Sequence, residues 1–225
     1  LVGEFPELQG IMGGHFAEAQ GFDKEVYQSI SEHYLPSGND SRVPKSLYSI
    51  TLSLSDKIDT LVGFFGLGLI PTGSKDPYAL RRYSIGLVRL IVENKIRIKL
   101  RSIINYSLTL YKEQGFEFDI TKVLRDLNNF ILERLKNYSK EKKIRIDIIE
   151  GSISTNDIDE LYSGYKKAEA INKNINKEIG KDVIGIYKRS SNILKSEIGK
   201  NKIQLSNSVD SGLFKNDFEK NLYKK

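Results

Sequence analysis

Residues 53–82 read SLSDKIDTLVGFFGLGLIPTGSKDPYALRR, and this stretch decides the fold of the chain. Its first part has apolar residues every three or four positions, which is typical of a helix with one buried face. Pro71 and the glycines around it end that helix. Asp76 and Pro77 then begin another, as an N-cap and a first helical residue. The stretch therefore predicts two helices joined by a tight turn, with a pair of arginines one turn into the second.

The same helical spacing continues along the chain, so the sequence predicts an all-α fold. Further helices are expected at residues 23–35, 99–113, 121–138, 156–176, 182–197 and 213–222. Residues 144–149, IRIDII, fit a short strand as well as a helix. The Ser, Thr, Gly and Asn cluster at 151–157 predicts a seam between a first domain, residues 1–150, and a second, residues 151–225.

The composition is that of a globular protein that leans polar, with 39% hydrophobic and 28% charged residues in 225. Because cysteine is absent, disulfides and thiolate metal sites are excluded, and we expect a cytoplasmic protein. The longest apolar run, residues 61–71, is roughly half of a membrane span, so we expect no membrane association. The first residues lack Met and the pattern of a signal peptide, which indicates a piece of a longer polypeptide.

Positive charge is concentrated in two basic runs, residues 81–101 and 134–145, within a chain of net charge +6. The first run has seven Lys and Arg against one Glu, and the second has six against one. Local excesses of this kind attract a polyanion. A solvated helix face in a lysine-rich protein would show the same pattern, so both interpretations stay open.

Residues 71–77, PTGSKDP, have the composition of a phosphate loop but not its spacing. The GxxxxGK[ST] pattern and a preceding buried strand are missing, which excludes a nucleotide P-loop. The loop does lead into a helix N-terminus, whose free N–H groups favour an anion. It is therefore either a plain joint between helices or a site for a nucleic acid phosphate, reinforced by Arg81 and Arg82.

The histidines and carboxylates do not form a complete catalytic set. A helical metal-dependent phosphohydrolase of the HD type needs a His, an adjacent His-Asp pair and a later Asp. His15 and Asp56 fit the first and last of these, but His33 is followed by Tyr34. No nucleophile lies beside a base. We therefore predict neither a catalytic residue nor a metal ligand, and interpret Asp56 and Asp59 as partners of nearby Arg or Lys.

The chain resembles the β subunit of the bacterial two-subunit glycyl-tRNA synthetase. Residues 55–82 carry most of the likeness, and six shorter stretches match in the family's order. They are VGEFPELQGIMGGHFA (2–17), EHYLP (32–36), SIGLVRLIVEN (84–94), FILERL (130–135), YKRSSNILK (187–195) and LFKNDFEKNLY (213–223). The resemblance is strong through Asn94 and loose beyond Asp147.

This resemblance implies an HD-like helical domain that has lost its hydrolase ligands, followed by a helical segment leading into the anticodon-binding region. In the family the β subunit recognises tRNA, and the α subunit activates glycine with ATP and Mg²⁺. The chain is thus expected to be a non-catalytic part of a ligase, inactive alone and without a cofactor of its own. Its expected partners are tRNA(Gly) and the α subunit, in an α2β2 assembly.

We expect the first basic run and the joint before it to face RNA, through Lys75, Arg81, Arg82, Arg89, Lys95, Arg97 and Lys99. Arg82 and Arg89 are seven apart and should share one helix face. These residues would neutralise phosphates and hold the tRNA so that its 3′ end reaches the α subunit. Two alternatives remain: an HD-type phosphohydrolase that uses His15 and Asp56, and a structural module that joins the β subunit to its partner.

Overall fold

The computed structural model describes residues 3–153, 158–201 and 209–224. These ranges contain helices and no β-strand, which confirms the predicted all-α fold. The α-helices are α1 (Ile11–Ala19), α2 (Lys24–Glu32), α3 (Leu47–Gly66), α4 (Leu80–Glu93), α5 (Leu100–Glu113), α6 (Ile120–Glu141), α7 (Ile146–Ser152), α8 (Leu161–Asn174), α9 (Glu178–Asn201) and α10 (Asp217–Tyr223). Single 3-10 turns occur at Pro6–Leu8, Ile158–Glu160 and Ser211–Leu213. None of the described helices is long and apolar enough to cross a membrane.

Three helices, α3, α4 and α6, form the centre of the first compact unit, which ends at Lys173. Each turns the apolar stripe that the sequence predicts toward the other two. The fully buried side chains of this core include Leu61, Leu87, Leu90, Leu127, Ile131 and Leu135. Each such side chain contributes roughly 1.5–3 kcal/mol when it leaves water, so this contact fixes α4 on α6.

The first unit extends beyond the predicted seam. The 3-10 turn at 158–160 packs on α5 and α6, and Ile158 and Leu161 are buried. The ring of Tyr165 lies 5.7 Å from that of Tyr138. These side chains complete the core of the first compact unit, which ends at Lys173. The division into two domains at residue 150 stays a prediction. Residues 154–157 of the seam lie outside the described ranges, and the anticodon-binding assignment stays a prediction.

The segment 144–149, which fits a strand or a helix by sequence, leads into helix α7, which begins at Ile146.

The second unit begins at Asn174 and contains α9 and α10. A capping box starts α10: Asn216 Oδ1 accepts a hydrogen bond from the Glu219 N–H at 3.0 Å, and Glu219 Oε2 accepts from the Asn216 N–H at 3.2 Å.

Helix α4 begins three residues later than predicted. Pro77 lies in a turn, and Ala79 has left-handed backbone with φ 55°, so helical backbone starts only at Leu80. Asp76 still caps the helix, because its two carboxylate oxygens accept hydrogen bonds from the N–H groups of Leu80 and Arg81 at 2.8 and 3.0 Å. Asp76 thus satisfies N–H groups of the first helical turn as expected, but the N-cap position is Ala79, and the prediction of Pro77 as the first helical residue was wrong.

A buried lysine joins the end of α2 to α3. Lys57 is 2% exposed, and its ammonium lies 3.2–3.3 Å from the backbone carbonyl oxygens of residues 33, 34 and 35. It also lies 3.0 Å from Ser53 Oγ, so its three N–H donors are shared among four acceptors. These carbonyl groups follow the last residue of α2, Glu32, and a buried carbonyl group without a partner is destabilising. Lys57 satisfies them and fixes the chain just before Pro36.

Glycine at position 86 lets α4 approach this lysine closely. A Cβ atom there would lie 2.6 Å from Cε of Lys57 and 2.8 Å from the carbonyl oxygen of Pro36. Real Cβ contacts are not this short, so the helix, the lysine and the loop after α2 meet only because residue 86 has no side chain.

Burial lowers the pKa of Lys57 to about 8, although the negative charge of Asp56 opposes this shift. The unfolded chain titrates near the ordinary lysine value of 10.5. Between about pH 8 and 10.5 the unfolded state therefore binds more protons than the folded state. In that window the contribution of Lys57 to the free energy of unfolding rises with pH.

We predict that Gly86→Ala lowers the free energy of unfolding by about 1–3 kcal/mol, because an added methyl group overpacks the contact with Lys57 and Pro36. Ser84→Ala, two residues earlier in α4, is the matched control. The Ser84 hydroxyl is buried and has no hydrogen-bond partner within the described residues, so its removal should change stability little. Urea denaturation measures both variants, and equal stabilities would contradict the close approach.

We also predict that the free energy of unfolding of the natural chain rises relative to that of Lys57→Met between pH 8 and 10.5. The expected rise is about 2–3 kcal/mol, because each unit of difference between the folded and unfolded pKa values corresponds to about 1.4 kcal/mol. Methionine has no titrating group, so subtracting its urea-denaturation curve removes the contributions of all other residues. A difference that stays flat across this window would contradict the lowered pKa.

Candidate nucleic-acid interface

The two basic runs of the sequence meet at one groove between α4 and α6. Arg81 and Arg82 come from α4, and Arg134 and Lys140 come from α6. Together they line a cavity of about 500 Å³, which we call the basic groove. Its remaining lining residues are Gly38, Asn39, Ile85, Asn137 and Glu141. The packing of α4 on α6 brings the two runs together, although they are far apart along the chain.

Two cations of the basic groove are available to a ligand. Arg82 and Lys140 are both exposed. Neither side chain forms a hydrogen bond or an ion pair with any residue that the structure describes. Their charges therefore face solvent without compensation from the protein.

The other two arginines of the groove are held by the protein. Arg81 donates a hydrogen bond from Nη2 to the carbonyl oxygen of Gly73 at 2.6 Å, which attaches it to the turn before α4. Arg134 donates from Nη2 to Glu133 at 2.6 Å, and its guanidinium lies 5.1 Å from the ring centre of Phe130. These contacts orient both guanidinium groups.

The charge of the groove is strongly positive. Four cations line it against one carboxylate, that of Glu141, whose Oε1 accepts a hydrogen bond from Asn39 at 2.7 Å. A concave surface lined by one sign of charge concentrates the field and attracts a polyanion. Arginine binds phosphate through two parallel N–H donors, so the groove has the chemistry of a phosphate site.

The other exposed residues of the predicted set lie outside the groove. Lys75 is in the turn that carries the Arg81 contact, where its backbone pairs with Thr72. Lys95, Arg97 and Lys99 follow the far end of α4, about 20 Å away at 1.5 Å per helical residue. The guanidinium of Arg97 lies 5.9 Å from the ring centre of Tyr162. The exposed residues of the predicted set therefore fall in three places: the groove, the turn with Lys75, and a separate basic patch formed by Lys95, Arg97 and Lys99.

Arg89 is buried, contrary to the expectation that it shares an exposed face with Arg82. It is 7% exposed, and it donates to Glu93 Oε1 at 2.8 Å and to the carbonyl oxygen of Gly38 at 2.5 Å. Residues 86–92 are all buried, so Arg89 is covered although Arg82, seven residues earlier, is exposed. Arg89 ties the loop after α2 to α4, and its reversal to Glu would disturb folding before it tested RNA binding.

The histidines and carboxylates form no metal site among the described residues. Among the residues described, no group of three or more His, Asp or Glu side chains is placed to hold a metal ion. His15 is largely exposed and lies 3.9 Å from Glu18. Burial raises the pKa of Asp56 above its ordinary value, although the charges of Lys57 and His33 oppose this shift.

The interpretation of Asp56 and Asp59 as ion-pair partners of Arg or Lys is only partly met. The charge of Asp56 acts on Lys57, but one Asp56 carboxylate oxygen is buried without a hydrogen-bond partner in the described part of the chain. At Asp59 it is the backbone carbonyl that is used, since it accepts a hydrogen bond from the Tyr111 hydroxyl at 3.1 Å. These carboxylates therefore add no charge to the basic groove.

Comparison with known proteins identifies the family. Residues 1–154 match the model of the glycyl-tRNA synthetase beta subunit. The chain is 38% identical over 223 residues to the glycine–tRNA ligase beta subunit of Cereibacter sphaeroides, 40% over 223 to that of Rickettsia canadensis and 35% over 224 to that of Clostridioides difficile. These alignments cover 99% of this chain but 32%, 31% and 31% of the relatives.

The chain thus spans about a third of the length of the curated relatives it matches. The family model covers more than half of the chain, and the similarity to the relatives extends over nearly all of it. The resemblance that residues 55–82 carry is therefore confirmed, and the chain belongs to the glycyl-tRNA synthetase β-subunit family.

Proposed function

We propose that this chain contributes tRNA binding to a glycyl-tRNA synthetase β subunit, and that the basic groove holds the RNA backbone. The observation that carries the proposal is the convergence of four cations on one cavity, two of which have no partner within the described residues. Membership of the family supports it, because the relatives are named as subunits of a ligase that acts on tRNA.

The proposed mechanism is positional. Lysine and arginine neutralise phosphates and release the counterions that surround a nucleic acid, which favours binding most at low salt. A tRNA held in this way places its 3′ end for reaction at a second site. We assign that site, with glycine, ATP and Mg²⁺, to a partner α subunit, and propose an α2β2 assembly. The chain itself would then need neither catalytic residues nor a cofactor.

The separate basic patch serves as a second contact in this proposal. Lys95, Arg97 and Lys99 are exposed beyond the far end of α4, and Lys75 is exposed in the turn before α4. Arg89 is left out of the proposed set, since its burial and its two protein partners keep it from a ligand.

The two alternatives differ from this proposal in what they need. A phosphohydrolase of the HD type needs a cluster of metal ligands, and the described residues provide no such cluster. A structural module that joins two subunits needs no unpaired cations in a groove. That module would bind tRNA only through its general charge, so replacing a groove cation would have no more effect than replacing a cation elsewhere.

We predict that Arg82→Glu weakens tRNA binding at least about tenfold at low salt, because an anion replaces an unpaired cation among three others. The slope of log K against log salt should also become shallower by about one, as expected for the loss of one phosphate contact. Fluorescence anisotropy with labelled tRNA measures both quantities. The free energy of unfolding should not change, since Arg82 makes no contact that the described fold needs.

Lys122→Glu is the matched control for this test. Lys122 is exposed near the start of α6, about 18 Å along the helix from Arg134, and the substitution changes the net charge equally. That distance exceeds the screening length of about 10 Å at 0.1 M salt, so tRNA affinity should stay close to that of the natural chain. If both variants lose affinity equally, net charge is responsible and the groove assignment is wrong.

A further inference from the structure

A second cavity shares Arg82 with the basic groove but has a different lining. It encloses about 640 Å³ between α2, the loop that follows it, α3 and the turn before α4. Three tyrosine rings and three cations line it, namely those of Tyr34, Tyr78, Tyr83, Arg42, Lys57 and Arg82. We call it the tyrosine cavity.

The walls of the tyrosine cavity are held in place by the protein. The ring of Tyr34 lies 4.0 Å from that of His33, and the ring of Tyr78 lies 4.4 Å from that of Phe64. The Lys57 ammonium lies 5.8 Å from the ring centre of Tyr83. A site whose aromatic walls are fixed before binding loses little conformational entropy when a ligand enters.

The lining selects the chemistry of a ligand. A volume of this size fits a small molecule or one residue of a larger one. Tyrosine rings stack on planar heterocycles. A cationic ligand would be repelled by Arg82, and an aliphatic one would not use the stacking surface of the tyrosine rings. A planar base attached to a phosphate satisfies both the rings and Arg82.

Arg82 connects this cavity to the basic groove. It lines both cavities, and it has no partner within the described residues. Arg42 lines only the tyrosine cavity, where it forms an ion pair with the buried Glu32 at 2.8 Å. Arg82 is therefore a lining cation without a partner in the described part of the protein, and because it lines both cavities, a phosphate bound to it would put the attached base at the opening of the tyrosine cavity.

We propose that the tyrosine cavity takes one unpaired base of the RNA whose backbone lies in the basic groove. The RNA at this point is then single-stranded or has a base turned out of its helix. This inference rests on the proposed function, and it adds a base-binding site to a surface that otherwise recognises only phosphates.

The test uses the 225-residue chain and two short single-stranded RNAs with identical backbones. One is abasic at every position, and the other carries a single 2-aminopurine at its centre, so that only one base is available. The chain contains no tryptophan, so the probe can be excited without protein emission. Stacking on tyrosine should quench the probe and make the base-bearing RNA bind about tenfold more tightly than the abasic one.

Two variants locate the base. Tyr78→Ala removes a wall ring that is 45% exposed and so should not disturb folding. Because two other rings remain after that change, Ser37→Phe fills the cavity instead, from an exposed position in its lining. Tyr106→Ala is the matched control, since Tyr106 is 65% exposed on α5 and lines neither cavity.

The preference for the base-bearing RNA should weaken in Tyr78→Ala, disappear in Ser37→Phe and persist in Tyr106→Ala. Equal, salt-dependent affinity of the natural chain for both RNAs would overturn this inference and leave the proposed function in place. A base preference that survives in both cavity variants would also overturn it, because the base would then bind elsewhere. Absence of binding to either RNA at low salt would overturn both proposals.

Discussion

The ammonium of Lys57, bound to three successive carbonyl groups at the end of α2, is the interaction on which both cavities depend. A buried charge is destabilising unless its hydrogen-bonding capacity is met, and here four oxygen atoms meet it. The lysine thereby fixes the backbone before Pro36, and the absence of a side chain at Gly86 lets α4 reach the same point. Lys57 and Pro36 line the tyrosine cavity, and Gly38, two residues further on, lines the basic groove.

Arginines of one helix have different roles because of what covers them. Arg82 lies where α4 is open on one side, so its charge is available to a ligand. Arg89 lies two turns later, where the helix is surrounded, and it binds Glu93 and the carbonyl oxygen of Gly38. The buried arginine positions the loop beside the groove, and the exposed one is placed to bind. This division explains how a strongly basic helix can pack in a core and still present charge.

Much of the fold follows from the sequence because it depends on local spacing. Apolar residues three or four apart predict α3, α4 and α6, and Asp76 is a recognisable cap. The start of α4 was misplaced because nothing about an alanine indicates left-handed backbone at Ala79. The burial of Arg89 was not predicted, because a spacing of seven residues shows that two side chains share a helix face but not what covers that face. The basic groove depends on contact between distant segments, so the sequence shows the two basic runs but not that they line one groove.

The most direct test of the claim that the basic groove binds RNA backbone is the salt dependence of tRNA affinity. It is measured for this chain alone and with an α subunit, and for a variant in which both unpaired groove cations are neutralised, Arg82→Gln with Lys140→Gln. We predict that log K falls linearly with log salt for the natural chain, and that the double variant reduces the slope by about two, one for each phosphate contact. Affinity that does not change with salt, or a slope that the double variant leaves unchanged, would contradict the claim.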